Sequence, residues 1–131
     1  MKYTEKLQSL LDKHEALKAK WLALNEQDLM DWIVLCDNMI DLYIEKKSEY
    51  QEERQKLKVE IGKKKIELKE AKNKDGKKKH TESTADAVID ELYYEKNIEQ
   101  DTRKLEIDLL QEKKNIIMEY INLGKKVVFK D

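Results

Sequence analysis

Apolar residues recur along this chain in alternating four- and three-residue steps, the spacing that lays one stripe along a helix. Tyr3, Leu7, Leu10, His14, Leu17, Trp21 and Leu24 form the first run and predict a helix from about residue 4 to 24. Asn25 then offers an N-cap, and Asp28 stands where a capping box places its returning acceptor, so a break is expected there. A second rhythm predicts a helix over 27–73: Leu29, Ile33, Cys36, Ile40, Tyr43, Lys47, Tyr50, Arg54, Leu57, Ile61, Lys64, Leu68 and Ala71. Its first half is apolar on more than one face, through Met30, Trp32, Val34, Leu35, Met39, Leu42 and Ile44, so it should pack against several partners. Its second half keeps only a thin stripe.

The rhythm stops over 74–83, where Asp75-Gly76 supplies turn chemistry. Ser83 with Asp86 is a capping-box candidate for a third helix over 84–124, with Gly124 as the expected C-cap residue. The expected seam of that helix is Ile98, Leu105, Leu109, Ile116, Tyr120 and Leu123, flanked by Ile107, Leu110, Ile117 and Ile121. A tail, 125–131, follows. The third helix is thin near the turn and apolar far from it, mirroring the second. The prediction is therefore an all-α single domain: a long antiparallel coiled-coil hairpin with the N-terminal helix packed where the apolar ends meet.

Composition supports helices over disorder. Charged residues make up 42% of the chain, with no proline, but the apolar positions keep a period that disordered segments lack. Charge is also blocked. Residues 54–80 carry 12 Lys/Arg against four acids, a net of +8, and 81–112 carry ten acids against three Lys/Arg, a net of −7. Folding about Gly76 lays these blocks side by side, which favours one register even though each exposed pair is worth at most about 1 kcal/mol. Thin helices bury little surface each, so a homo-oligomer is expected. Its contacts are expected at Trp32, Leu35, Met39, Tyr43, Tyr93, Tyr94, Ile117 and Ile121.

Candidate chemistry is sparse. One cysteine, Cys36, cannot build a disulfide framework or a multi-cysteine metal site, and its apolar setting suggests a buried structural thiol. His14 falls on the first seam as a polar core position, and His80 stands beside lysines in the turn. Metal, phosphate-loop and nucleophile motifs are missing from the sequence, so no enzyme activity, metal or cofactor is expected. The start of the chain suggests no secretory leader, and its longest apolar stretch, Trp32 to Cys36, is far short of the roughly 20 residues that cross a bilayer. A cytoplasmic protein is expected. One of the adjacent Tyr93 and Tyr94 must face away from the hairpin partner, as an oligomer contact or a base-stacking surface.

The feature with functional content is a lysine cluster: Lys63, Lys64, Lys65, Lys69, Lys72, Lys74, Lys77, Lys78 and Lys79. Such a cluster suits sequence-independent binding of a phosphate backbone, or is a solvated face partly neutralised by the acidic helix. A net charge of −1 disfavours strong binding by one chain, whereas an oligomer would multiply the cluster. The run Lys79-His80-Thr81-Glu82-Ser83-Thr84-Ala85-Asp86-Ala87 opens a helix that ends Ile121-Asn122-Leu123-Gly124-Lys125-Lys126. With the preceding basic helix and Asp-Gly turn, about residues 50–128 resemble the UvsY-type recombination mediators of tailed phages. The resemblance implies a ring-forming homo-oligomer that binds single-stranded DNA and helps load a recombinase. The acid excess of the third helix and the N-terminal heptads depart from that pattern. The alternatives are a protein-only adaptor or inhibitor of a host nuclease or defence complex, and an assembly scaffold.

Overall fold

The computed structural model describes residues 2–72 and 75–130. Among them, four α-helices and one short 3-10 turn account for nearly all the regular structure, in the order α1 (Tyr3–Ala19), a 3-10 turn (Trp21–Ala23), α2 (Glu26–Glu70), α3 (Glu82–Leu92) and α4 (Tyr94–Val128). No helix among the described residues is long and apolar enough to cross a membrane. The chain divides into two compact units. One comprises Met1–Lys47 with Glu106–Asp131, the other Ser48–Leu105, and α2 and α4 contribute to both.

The expected capping box starts α2. Asn25 Oδ1 accepts from the Asp28 amide at 2.9 Å, and Asp28 Oδ2 accepts from the Asn25 amide at 3.2 Å, so two amides at the helix start find partners. Lys20 Nζ adds an ion pair to the buried Asp28 at 3.4 Å.

In the first unit, α1 supplies Leu10 and Leu17, α2 supplies Leu29, Trp32, Leu35, Cys36, Met39 and Leu42, and α4 supplies Leu110, Ile117 and Ile121 to one core. The broad apolar first half of α2 thus meets two helices, as expected. Trp32 stacks on Tyr120 with centroids 5.6 Å apart, and Trp21 stands edge-on to both rings. His14 closes this aromatic group at 6% exposure, confirming it as a polar core position. Trp32 Nε1 donates to His14 Nδ1 at 3.0 Å, which leaves the imidazole proton on Nε2. Burial holds the His14 pKa below its ordinary value, with the nearby Lys18 acting in the same direction and Glu15 opposing. Cys36 is likewise buried, and its thiol pKa is raised by desolvation.

Three boundaries of the third helical region differ from expectation. Thr81, rather than Ser83, caps α3: its Oγ1 accepts from the Thr84 amide at 3.2 Å. The helix is interrupted at Tyr93, although backbone bonds Tyr93 N to Ile89 O (3.0 Å) and Asn97 N to Tyr93 O (2.9 Å) carry through the break. Nor does Gly124 end α4, which continues to Val128. Gly124 is buried against the core, where a Cβ would stand 3.2 Å from Leu24 Cδ2 and 3.4 Å from Leu29 Cδ1. It permits close approach of the helix rather than a cap.

The inward face of α4 also differs. Ile107, Leu110, Ile117 and Ile121, expected as flanks, are buried, whereas Ile98, Leu105, Leu109, Ile116 and Leu123 of the expected seam are each 46–63% exposed. A step of one residue rotates a helix by about 100°, and the two sets are offset by such a step. Within each unit the contacts of α2 with the later helices run in opposite chain order. Leu29 lies by Gly124 and Trp32 by Tyr120 in the first unit, and Glu60 pairs with Lys96 and Lys65 with Asp86 in the second. This packing fits a helical hairpin.

Candidate nucleic-acid interface

The second unit carries the lysine cluster. Its turn is pinned by two backbone contacts, an antiparallel bridge between Lys72 and Lys78 and a bond from Lys79 N to Ala71 O at 2.9 Å. Gly76 sits at φ +73°, a conformation that costs an L side chain about 1–2 kcal/mol, which explains the Asp-Gly at this place. Gly76 lies between α2 and α3, where the sequence predicts a turn, although α2 ends at Glu70 rather than at residue 73.

The lysines sort into two groups. Three on α2 already have carboxylate partners: Lys65 with Asp86 at 2.9 Å, Lys69 with Glu82 at 3.5 Å, and Lys64 with Glu67 at 3.3 Å. The hydrogen bond to Asp86, with its charge, raises the Lys65 pKa. Arg103 with Glu53 and Lys96 with Glu60 (3.3 Å) continue the pairing toward residue 48. Lys65 with Asp86 and Lys69 with Glu82 bring the basic and acidic blocks together, so that Lys64, Lys65 and Lys69 already have counter-charges within the chain. Lys63, Lys72, Lys77, Lys78 and Lys79 are exposed, and four of these five lie on the turn or at its edge. Lys74 falls outside the described residues. The exposed lysines at the turn make a smaller basic surface than the nine-lysine patch expected.

Tyr93 and Tyr94 separate as expected. Tyr93 is buried, with its hydroxyl 3.5 Å from Glu60 and Lys96 above its ring, and Tyr94 is 63% exposed. The expected oligomer contacts need correction. Trp32, Leu35, Met39, Tyr93, Ile117 and Ile121 are each no more than 8% exposed in the single chain. They are consumed by the chain's own packing and have no surface left for a second copy. Tyr43 is half-buried between Lys47 and Lys114, which lie over its ring. Only Tyr94 of that set stands fully outside.

Sequence reasoning missed the apolar residues that remain outside, among them Leu109 (55%), Ile116 (47%) and Leu123 (50%) on α4. Their signal is a strict seven-residue repeat, which the expected seam assigns to the inward face. Among the described residues no group of three or more His, Cys, Asp or Glu side chains could hold a metal ion. Comparison with protein-family models, with curated proteins and with solved structures returned no match.

Proposed function

We propose that this chain is a non-enzymatic accessory protein, an antiparallel coiled-coil hairpin whose basic turn binds the phosphate backbone of single-stranded DNA. The observation that carries the reading is the sorting of the lysines. Lys64, Lys65 and Lys69 on the helix pair with Glu67, Asp86 and Glu82, while Lys72, Lys78 and Lys79 stand exposed at the turn beside the Lys72–Lys78 backbone bridge. A few fixed cations give binding without sequence readout, strongly weakened by salt. One turn is a weak site, so useful affinity requires several turns presented together on an assembly. A role beside a recombinase, in a phage-type system and in the cytoplasm, follows from the resemblance noted above and belongs to the same proposal.

Fluorescence anisotropy with a labelled single-stranded oligonucleotide tests it. Three phosphate contacts predict a slope of log affinity against log salt of about −2. Lys78→Glu with Lys79→Glu should weaken binding at least tenfold. Absence of binding at low salt would overturn the proposal.

A second reading is favoured by a separate observation. The exposed Leu109, Ile116 and Leu123 suit a protein partner, which points to an interaction adaptor without direct nucleic-acid binding. Capture of a defined partner, undiminished by nuclease and by the turn variant, would support that reading.

A further inference from the structure

Within the first unit, two surfaces have matching form. On α4, Leu109, Ile116 and Leu123 make an exposed apolar ridge repeating every seven residues, about 10.5 Å along the axis. Glu112 and Glu119 follow the ridge on its i+3 side, with Lys126 beyond them. Lys113 and Tyr120 follow it on the i+4 side. Between α1 and α2 lie two hollows that share Leu10, Lys13 and Asn38 and so form one groove. Its floor is formed by the buried Leu10, Leu17, Leu35 and Leu42, and Ala16 and Val34 stand exposed along it. Its α1 rim is basic, with Lys6 and Lys13. Its α2 rim is acidic, with Asp31, Asp41 and Glu45.

We infer that the α1–α2 groove of one copy receives the α4 ridge of a second copy. A ridge on one helix packs into a groove between two others, here against the exposed Ala16 and Val34. Glu112 and Glu119, seven residues apart, meet Lys6 and Lys13 at the same spacing, and Lys113 faces the acidic α2 rim. None of Lys6, Lys13, Glu112, Lys113 and Glu119 has an ion-pair partner among the described residues of its own chain. Ridge and groove are different surfaces, so each copy offers one and uses the other. Such a head-to-tail contact closes into a ring or extends as a filament. The contact does not involve the lysine turn and stands whether or not that turn binds DNA.

Sedimentation velocity on the full chain without nucleic acid, over a concentration series, tests the inference. The expected result is a mass above that of one chain, lost when Glu112→Lys and Glu119→Lys are combined, with association weakened at least tenfold. A second variant combining Lys6→Glu and Lys13→Glu should also fail to associate. Mixing the two variants should restore assembly, because each groove then meets a ridge of opposite charge. All four positions are exposed, and far-UV circular dichroism checks that helix content is kept. Should a charge variant lose helix, Ile116→Ser, within the exposed ridge, replaces it and should weaken association equally. A single-chain mass at every concentration would overturn the inference and leave the groove to a different partner. So would unchanged assembly of the Glu112→Lys, Glu119→Lys chain, or two variants that stay apart when mixed.

Discussion

The His14–Trp32 bond makes the stability of the first unit sensitive to mild acid. His14 is buried and neutral, and its Nδ1 is occupied as the acceptor of the Trp32 indole N–H at 3.0 Å. Its pKa lies below the ordinary 6.5, from burial first, opposed by Glu15 and reinforced by the smaller effect of Lys18. Tyr120 from α4, with Lys18 5.3 Å above its ring, is the other titratable group against it. The unfolded chain therefore takes up this proton at a higher pH than the folded chain does. Stability is fully present above pH 6.5, falls as pH drops below it, and levels off once the folded-state pKa is passed. The slope in that window reaches at most about 1.4 kcal/mol per pH unit for one proton. The assay is urea unfolding, followed by tryptophan fluorescence, at pH 7.5, 6.5 and 5.5. The comparison is with His14→Gln, whose amide oxygen preserves an acceptor for Trp32 without titrating. The native chain should lose up to about 1 kcal/mol more than the variant between pH 6.5 and 5.5. Parallel stability curves, or a steeper loss in the variant, would refute the reasoning.

Two further outcomes follow from packing. Trp32→Ala removes a fully buried ring from the centre of the core and should cost about 3–5 kcal/mol in denaturant unfolding. Gly62 and Gly124, both helical, should respond in opposite directions. Gly62→Ala meets nothing within 4 Å and should stabilise by about 1 kcal/mol, whereas Gly124→Val presses on Leu24 and Leu29 and should cost about 1–3 kcal/mol.

Local chemistry was legible in the sequence where one residue type has one physical use. Asn25 with Asp28 named a helix start, and Asp75-Gly76 named a turn whose glycine has positive φ. The opposed charge blocks foretold the pairing of Lys65 with Asp86 and Lys69 with Glu82, since like-signed runs must find counter-charges in a packed helical unit. The break at Tyr93 carries no glycine or proline signal, and its backbone bonds continue, so the sequence had nothing to mark it.

The inward face of α4 was harder for a different reason. Leu109, Ile116 and Leu123 repeat at seven residues, and so do Leu110, Ile117 and Gly124, one step away. Counting apolar side chains favours the first set. Packing selects the second, because only a glycine lets α4 approach Leu24, Leu29 and Trp21 as closely as it does. A glycine within a helical repeat is thus better evidence for the crowded face than the leucine it seems to interrupt. The same error placed the expected oligomer contacts on the largest apolar residues, Trp32 and Met39. A chain that buries those itself can offer a second copy only what its own core leaves outside, and in the first unit that includes the leucine–isoleucine ridge of α4.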